Sequence, residues 1–436
     1  MASIALCIPT YERQECVREF LYEYAEYYLR CGIDIYYYDS SPDNETFSVV
    51  SEFCKITQNV YYIPMPAEMH SNTKVFKIFQ QYGLKKQYDF IWICNDAIRF
   101  SKKALTEIVE RIDVGYDIVE VDPEDVEGLG LKVYEDFNLY LKECAWKLTL
   151  YGAAFLNSDT ILRNINWQLY EASFLKKEVI NFSHVSLYFN RIVEMKKFKA
   201  LHIPIAGEEF KSSIYKRMSG WHRDSLFILC ESWVNTIERL PDCYIEKSEA
   251  ILKSGQLKNL KDESIFKHLR MDGILNLYEF FKYRKVWKKV CTVPAWKIFL
   301  ISMIPSKGLK RREERKKTRK LAAFIDFIKR YPNLVLYGAG KMGYVIASYC
   351  DMKHIQYDYF CVTCLPQNDE FMGHAVKEFK HVIKDLNTKG IVLCMRGGHA
   401  KEVTELLKNQ GLADNLFYDE ELFELAGYEV GFKTGV

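Results

Sequence analysis

Short apolar runs alternate with stretches of helical periodicity over residues 1–125, and this alternation limits the possible folds more than any other feature of the chain. Strands separated by helices form a parallel sheet that is covered by helices on both faces. The sequence therefore predicts a Rossmann-like α/β fold with a mainly parallel sheet. Its predicted strands are 3–8, 33–38, 60–64, 88–94 and 116–121, and its predicted helices are 15–31, 46–54, 73–82 and 101–112.

Polar side chains follow three of these predicted strands directly. Residues 10–13 (Thr, Tyr, Glu, Arg) follow the first strand, Asp39 ends the second, and Asn95 and Asp96 follow the fourth. The carboxyl ends of parallel strands lie at one edge of the sheet, where open α/β sheets bind their ligands. We therefore expect these side chains to converge on a single crevice.

The rest of the chain divides into two further regions. At 436 residues the chain is too long for one ordinary domain. A further strand is predicted at Leu148–Leu156, the stretch 256–330 is almost purely helical, and an α/β pattern begins again after residue 331. We predict a large α/β domain over 1–255, a basic helical linker over 256–330, and a small Rossmann-like domain over 331–436.

A glycine-rich loop opens the C-terminal region. Gly338, Gly340 and Gly343 follow the apolar run Leu334–Tyr337 and precede a helical stretch, which is the context of a phosphate-binding loop. No acidic residue stands at the end of the next predicted strand, Tyr357–Val362. Nucleotide binding and a packing or assembly role therefore both remain open for this domain.

Charge and cysteine usage exclude some classes of protein. The net charge of +2 does not predict a nucleic-acid-binding protein. The thirteen cysteines lack metal-ligand spacing, and the lone Cys361–Cys364 pair predicts no zinc site, so we expect reduced thiols in a cytoplasmic protein. Neither a signal peptide nor a run of about 18 apolar residues is evident. Oligomeric state stays open, and aromatic-rich helices would suit a homo-oligomer.

An apolar segment precedes a strongly basic one within residues 287–320. Val293–Ile304 is apolar and aromatic, and Lys307–Lys320 holds nine Lys or Arg among fourteen residues. Such a combination is typical of a segment that lies on an anionic membrane surface. The alternative is a solvated helical linker whose apolar face packs on the neighbouring domains.

Three motifs of the first 125 residues resemble the signatures of family-2-type GT-A glycosyltransferases, in the family's order and spacing. They are Ala5–Arg13, Asp39–Asp43 and Asp89–Asp96. Leu150–Ala154 looks like the acceptor-side strand, and Gly220–Asp224 is similar to segments of bacterial polysaccharide-assembly members. The chain departs from the family where Glu12 replaces Asn and where Asn95 stands beside the single acid Asp96.

The resemblance implies a GT-A fold and an inverting transfer of sugar from a nucleotide-sugar donor, most simply a UDP-sugar, to a glycan or lipid-linked acceptor in bacterial surface polysaccharide or glycoconjugate synthesis. Such an enzyme works in the cytoplasm, at the inner face of the membrane where the acceptor is lipid-linked. Two alternatives remain: a non-catalytic nucleotide-sugar-binding pseudoenzyme, and an NAD-dependent enzyme that uses the C-terminal glycine loop.

The resemblance and the chemistry of a diphosphate leaving group also select candidate residues. A departing diphosphate needs positive charge, from Mn²⁺ or Mg²⁺ or from cationic side chains. The candidate metal ligands are Asp96 and His222. Inversion needs a general base, for which we select His184 and Glu209, with Glu171 and Glu208 as further candidates. The candidate nucleotide-sugar contacts are Pro9, Thr10, Tyr11, Arg13, Asp39, Lys74, Asn95, Asp96, Trp221 and Arg223.

Overall fold

A computed structural model of the chain describes residues 2–67, 69–85, 87–123, 127–213, 215, 221–255, 260–365, 369–419 and 422–429. The chain forms two compact units. The first comprises Met1–Tyr215 and Arg223–Ile304, and the second comprises Lys216–His222 and Pro305–Val436. The predicted linker, 256–330, is shared between them, because its helices up to residue 303 belong to the first unit and the helix from residue 306 belongs to the second.

The first unit is built on an eight-stranded sheet with the order β3-β2-β1-β4-β8-β6-β9-β7. The pairs β1–β2, β1–β4, β2–β3 and β6–β9 are parallel, whereas β8 and β7 run antiparallel to their neighbours. Strands β5 and β10 form a separate antiparallel pair. The strands are β1 Ile4–Thr10, β2 Ile33–Asp39, β3 Val60–Pro64, β4 Phe90–Ile93, β5 Ile98–Phe100, β6 Ile118–Asp122, β7 Lys132–Tyr134, β8 Ala154–Asn157, β9 Ala200–Pro204 and β10 Phe210–Ser212.

Helices cover both faces of this sheet. A π-helical turn, Ile228–Ser232, joins α9 to α10. The helices are α1 Gln14–Glu23, α2 Ala25–Arg30, α3 Glu45–Cys54, α4 Ser71–Leu84, α5 Lys102–Arg111, α6 Phe137–Cys144, α7 Trp167–Phe174, α8 Ser183–Glu194, α9 Trp221–Phe227, α10 Trp233–Glu238, α11 Lys247–Ser254, α12 Glu263–Met271, α13 Leu277–Lys282, α14 Trp287–Val290 and α15 Ala295–Met303.

Two hydrophobic cores lie on opposite faces of the sheet. In β1, Ala5 and Cys7 belong to the core that α4 and α8 cover, and Ile4, Leu6 and Ile8 belong to the core that α1 and α5 cover. Every second residue of a strand points to the same face. A strand that is apolar on both faces is buried on both, and the continuous apolar run of β1 therefore predicts its central place in the sheet.

Two predicted elements differ from the structure. The run Leu148–Leu156 is not one strand, because Gly152 has φ +121° and the strand β8 begins only at Ala154. The predicted helix 15–31 is two helices, since Tyr24 leaves helical geometry between α1 and α2. The first run is interrupted by a 3₁₀ turn at Lys147–Thr149 and by Gly152, and the second by the backbone of Tyr24.

The second unit is a smaller α/β structure. Its six-stranded sheet has the order β13-β14-β12-β11-β15-β16, and Phe324 and Phe327 of the long basic helix α16 pack in its core. The elements are α16 Ser306–Arg330, β11 Leu334–Tyr337, α17 Lys341–Met352, β12 Tyr359–Val362, β13 Glu370–Phe371, β14 His374–Glu378, α18 Phe379–Leu386, β15 Gly390–Leu393, α19 Gly397–Asn409, β16 Leu416–Phe417 and α20 Leu422–Glu429.

None of the helices in the described part of the chain combines the length and the hydrophobicity that crossing a bilayer requires.

Close packing of α4 against the chain that precedes α7 generates a stability prediction. A Cβ on Gly83 would lie 2.4 Å from the Leu162 carbonyl oxygen and 2.6 Å from Trp167 Cζ2. We expect Gly83→Ala to lower the free energy of unfolding by about 1–3 kcal/mol, because the backbone has to move. Thermal and urea unfolding followed by circular dichroism measures this change.

Gly207→Ala is the matched control, since its Cβ would lie 3.8 Å from the Pro123 carbonyl oxygen, an ordinary contact. Equal stability of the two variants would contradict the close approach of α4 to residue 162.

Candidate functional site

The ends of β1, β2 and β4 meet at one edge of the first unit's sheet. Thr10 at the end of β1 lies directly opposite Asp39 at the end of β2 in the parallel register. The Thr10 hydroxyl donates a hydrogen bond of 3.1 Å to Asp96 Oδ2, and Asp96 follows β4. The structure therefore brings together the three strand ends that the sequence predicted to share a crevice.

Lys74 of α4 places a buried positive charge among these strand ends. Its side chain is 2% exposed, and its Nζ donates a hydrogen bond of 2.6 Å to the Thr10 carbonyl oxygen. Burial lowers the pKa of Lys74 to about 8, although the charges of Asp39 and Asp96 act in the opposite direction. The ammonium group thus lies where it can compensate two carboxylates.

The Asp39 carboxylate is held by hydrogen bonds on both of its oxygens. Ser41 donates to Oδ1 from its backbone N–H at 3.0 Å and from its hydroxyl at 2.6 Å, and the Tyr62 hydroxyl donates to Oδ2 at 2.9 Å. The turn that follows β2 and the fixed position of the buried Asp39 carboxylate are therefore parts of the same arrangement. A carboxylate oxygen accepts more than one hydrogen bond, so these contacts leave capacity for a ligand N–H.

Asp96 is 9% exposed and is surrounded by cationic side chains. Burial raises the pKa of the Asp96 carboxyl, and the positive charge of Arg13 is the largest of the effects that oppose the rise. The hydrogen bond from Thr10 and the charges of Arg99 and Lys74 oppose it as well. This edge of the sheet therefore holds three cations beside the carboxylates of Asp39 and Asp96, and Arg99 is also paired with Glu19 at 3.5 Å. The cations are in place for an anionic ligand.

Arg99 was not selected from the sequence. It is 1% exposed in β5, where its guanidinium group donates to the carbonyl oxygens of Asp96 at 2.7 Å and Cys16 at 2.6 Å. It also lies 4.9 Å from the centre of the Phe20 ring. The signal in the sequence was one charge inside the apolar run Ile98–Phe100, and such a charge is buried only when it is paired or well hydrogen-bonded.

The acceptor-side motif lies beside Asn95. The Asn95 N–H donates to the Tyr151 carbonyl oxygen at 3.4 Å, and Asn95 Oδ1 accepts from the Ala97 N–H at 2.8 Å. The Tyr151 hydroxyl donates to Asn72 Oδ1, two residues before Lys74. Gly152 is tightly placed, because a Cβ there would lie 3.3 Å from Cys94 Sγ. The predicted acceptor strand is thus in contact with the cluster through the turn that precedes β8.

His184 lies in the core beneath Tyr151. It is 2% exposed, and its ring centre is 4.9 Å from that of Tyr151 and 5.9 Å from that of Tyr188. Burial lowers the pKa of His184 to about 4, so the imidazole is neutral at physiological pH. Its role as a general base stays a prediction, and the contact that the structure gives it is with Tyr151.

Glu209 ends a 3₁₀ turn directly before β10. Its carboxylate accepts a hydrogen bond from the Ser101 hydroxyl and lies 3.6 Å from Lys103 Nζ. The hydrogen bond from Ser101 and the charge of Lys103 hold the pKa of Glu209 below its usual value. Among the other candidate bases, Glu171 lies 3.6 Å from Lys77 Nζ, and the side chain of Glu208 is outside the described residues.

The remaining candidates lie at the margins of this cluster or away from it. Pro9 is half-buried in β1, and Tyr11 is 39% exposed just beyond it. Arg223 is exposed on α9, and the half-buried His222 belongs to the second unit. The side chain of Trp221 is outside the described residues. The nucleotide and metal roles of residues 221–223 therefore stay predictions.

The glycine loop of the second unit has the backbone of a tight strand-to-helix turn. Gly338 has φ +122°, and a Cβ on Gly343 would lie 2.1 Å from the Gly338 carbonyl oxygen. A Cβ on Gly340 would meet no atom within 4 Å among the described residues. Packing therefore explains Gly338 and Gly343. Gly340 has room for a ligand beside it, and the neighbouring Lys341 is a cation. Nucleotide binding and a packing or assembly role therefore both remain open for this loop.

The chain matches no protein-family model and no curated protein. Solved structures similar to it are GT-A-type glycosyltransferases, the class whose motifs the sequence resembles. One is the mannosyltransferase PcManGT from Pyrobaculum calidifontis in complex with GDP-Man and Mn²⁺, at 12% identity and TM-score 0.38, covering 69% of this chain and 86% of that one.

Two other similar structures come from different bacteria. S. aureus TarS 1–349 in complex with UDP has 10% identity to this chain and a TM-score of 0.36, and the match covers 69% of this chain and 90% of that one. The match to a longer TarS chain covers 50% of that chain. Glucosyl-3-phosphoglycerate synthase from Mycobacterium tuberculosis has 9% identity to this chain and a TM-score of 0.36, and the match covers 55% of this chain and 81% of that one. At such identities the likeness concerns the fold alone.

The buried ammonium of Lys74 generates a prediction on pH dependence. Its pKa is about 8 in the folded chain and 10.5 ordinarily, so folding releases a proton between these values. The cost of burying the charge is full below pH 8 and disappears as the pH approaches 10.5. We expect the stability of the wild type relative to Lys74→Met to rise over this interval by up to about 3 kcal/mol.

Urea unfolding of both proteins at several pH values from neutral to alkaline measures the difference in their free energies of unfolding. Tyrosines and cysteines titrate in both proteins, so their contribution cancels in this difference. Lys77→Met, on the same helix with a side chain 38% exposed, is the control and should show little change. A pH-independent difference between wild type and Lys74→Met would mean that Lys74 is not buried as a charge.

Proposed function

We propose that this protein is an inverting glycosyltransferase that moves a sugar from a nucleotide-sugar donor, a UDP-sugar in the first instance, to a glycan or lipid-linked acceptor. The observation that carries the proposal is the convergence of Thr10, Asp39, Lys74 and Asp96 at the carboxyl ends of neighbouring parallel strands. This is where an open α/β sheet binds nucleotides. We propose bacterial surface polysaccharide or glycoconjugate synthesis as its pathway.

Each part of the donor has a matching group in the cluster. The Asp39 carboxylate accepts hydrogen bonds from the edge of the base, and Pro9, Thr10 and Tyr11 border the base and ribose. Arg13 and Lys74 supply positive charge for the diphosphate, which leaves with the electrons of the broken glycosidic bond. Because Asp39 and Thr10 are already fixed by internal contacts, the donor would be bound with little ordering of side chains.

A divalent cation fits the same place. Carboxylate and diphosphate oxygens are the ligands that Mg²⁺ and Mn²⁺ prefer, and the charges of Arg13 and Lys74, which we assign to the diphosphate, both act on Asp96. We propose Asp96 as the metal ligand in the first unit. When bound, the ion adds positive charge at the leaving group. Arg13 and Lys74 supply positive charge there without the ion, which partly compensates for Asn95 standing beside the single acid Asp96.

The acceptor is proposed to bind beside Asn95 and the turn that contains Tyr151. These two residues are in direct contact, so an acceptor hydroxyl there would lie next to the sugar of a donor held by Asp96. We retain Glu209 and His184 as the proposed bases. His184 is neutral at physiological pH and touches the site through the Tyr151 ring. Because burial lowers its pKa to about 4, it would be a weak base unless acceptor binding changes its surroundings.

Donor binding and turnover test the proposal. The panel consists of UDP-, GDP-, CDP- and dTDP-sugars with and without Mn²⁺, since the similar structures were solved with GDP-Man in one case and UDP in others. We expect a thermal shift with one nucleotide class and hydrolysis of that sugar nucleotide. Asp96→Ala should reduce hydrolysis by about 100-fold or more, because a charged group at the diphosphate is lost.

Asp242→Ala is the control, because its side chain is fully exposed in the same unit. Arg13→Ala provides a second variant in case Asp96→Ala is unstable, and it should weaken the shift by the donor. Binding without turnover would favour the pseudoenzyme, and a shift with NADH alone would favour the dinucleotide enzyme. No response to any sugar nucleotide would overturn the proposal.

We further propose that the first unit contacts an anionic membrane surface, where a lipid-linked acceptor would be found. Helices α13 and α15, which contact each other, expose an apolar patch. Basic side chains of Arg284, Lys285 and Lys288 are exposed next to it in the sequence. Apolar and basic groups together bind anionic bilayers. The patch consists of Leu277, Tyr278, Phe281, Trp296, Leu300 and Met303.

Sedimentation with lipid vesicles tests this contact. We expect binding to vesicles that contain phosphatidylglycerol and weak binding to pure phosphatidylcholine. The double variant Trp296→Ser/Leu300→Ser should lose about tenfold in affinity, since two exposed apolar side chains no longer insert. Ile245→Ser, at a position 78% exposed elsewhere in the unit, should bind as the wild type does. Equal binding by the double variant would place the contact elsewhere.

A further inference from the structure

A second polar cluster lies inside the first unit, in the middle of the strands rather than at their ends. Glu120 of β6 and His202 of β9 are direct partners in the parallel register, so their side chains point to the same face of the sheet. Cys144 ends helix α6, whose buried side belongs to the core on that face. All three side chains are fully buried.

The three side chains converge on one point. One oxygen, nitrogen or sulfur atom from each lies within 4.8 Å of the others, and His202 Nδ1 is 3.3 Å from Glu120 Oε2. Tetrahedral zinc, with bonds of about 2.0–2.3 Å, holds its ligand atoms roughly 3.3–3.8 Å apart. The cluster is therefore within about 1 Å of that geometry.

The buried charge of Glu120 is the second observation. Neither of its carboxylate oxygens has a hydrogen bond of good geometry among the described residues. The neighbouring ammonium groups have carboxylates of their own: Lys147 lies 2.9 Å from Asp122, and Lys132 lies 2.6 Å from Glu143. The charge of Lys147 acts on Glu120 as well but is shared with Asp122. A fully buried carboxylate whose nearest ammonium group is shared in this way is costly, so a further positive charge in the cluster would stabilise Glu120.

A divalent ion satisfies all three groups at once. Zinc with one carboxylate, one thiolate and one neutral imidazole makes a complex with no net charge, which is the form that a dry interior tolerates. An ion pair of Glu120 with a protonated His202 would neutralise the carboxylate and would leave Cys144 as a thiol that hydrogen-bonds to Glu120; this is the alternative that the metal analysis below distinguishes. Thiolate and imidazole ligands select zinc over Mg²⁺ or Mn²⁺, which prefer oxygen.

We propose that Glu120, Cys144 and His202 form a structural zinc site that ties β6 and β9 to helix α6. Tyr140 lies one helical turn before Cys144 on the same side of α6, is fully buried, and has a hydroxyl without a hydrogen-bond partner in the described part of the chain. The Tyr140 hydroxyl oxygen is therefore our candidate for the fourth coordination position of the zinc ion. This site is distinct from the one proposed for a donor-bound metal at Asp96.

Metal analysis of the full-length protein, purified without chelators, tests the proposal. We expect about one zinc per chain, a fall of the melting temperature on removal with a strong chelator, and its recovery with Zn²⁺ but not with Mn²⁺. Cys144→Ser should lower the zinc content about tenfold or more. Cys230→Ser, which changes a buried cysteine elsewhere in the same unit, should retain zinc, as should Asp96→Ala.

Cobalt substitution keeps the test independent of variant stability. Co²⁺ in the wild-type protein should give the near-ultraviolet charge-transfer band of a cobalt–thiolate bond, and Cys230→Ser should retain that band. A purified wild type without zinc, whose melting temperature responds neither to Zn²⁺ nor to chelator and which gives no such band with Co²⁺, would overturn the site. Glu120 and His202 would then be an ordinary buried ion pair.

Discussion

The hydrogen bond from Lys74 to the Thr10 carbonyl oxygen is the contact on which the edge of the sheet depends. An ammonium group at 2% exposure is tolerated only where its charge is compensated. The compensation comes from Asp39 and Asp96, which belong to the ends of two different strands. Helix α4 is thereby fixed to β1, and the three strand ends are held together before any ligand arrives.

The same arrangement explains how an acidic crevice becomes a site for an anion. Asp39 is satisfied by Ser41 and Tyr62, and Asp96 by Thr10. Their carboxylates are thus partly neutralised internally, while Arg13, Lys74 and Arg99 all act on Asp96. Additional negative charge from a diphosphate would meet cations that already lie in place. Charge compensation within the free protein and recognition of the proposed donor therefore rest on the same side chains.

The sequence predicted those parts of the fold that local patterns determine. Strands β1 to β4 were expected close to their observed bounds, since each is an apolar run that ends at a polar residue. The convergence of Thr10, Asp39 and Asp96 followed from the rule that parallel strands end at one edge. Strand β5 and Arg99 were missed, because burial of an arginine depends on carbonyl groups such as that of Cys16, which is distant in sequence.

The zinc ligands that we propose had no signal in the sequence for a related reason. Glu120, Cys144 and His202 stand singly on three elements, and cysteine spacing pointed away from a metal. Position along the strand explains why two polar clusters of one sheet suit different ligands. Residues at the strand ends lie beside the loops that follow the edge of the sheet, where the proposed donor would bind, whereas residues in mid-strand face a covering helix. Both clusters are buried, so their place along the strand and the chemistry of their side chains, rather than burial, distinguish the two proposed sites.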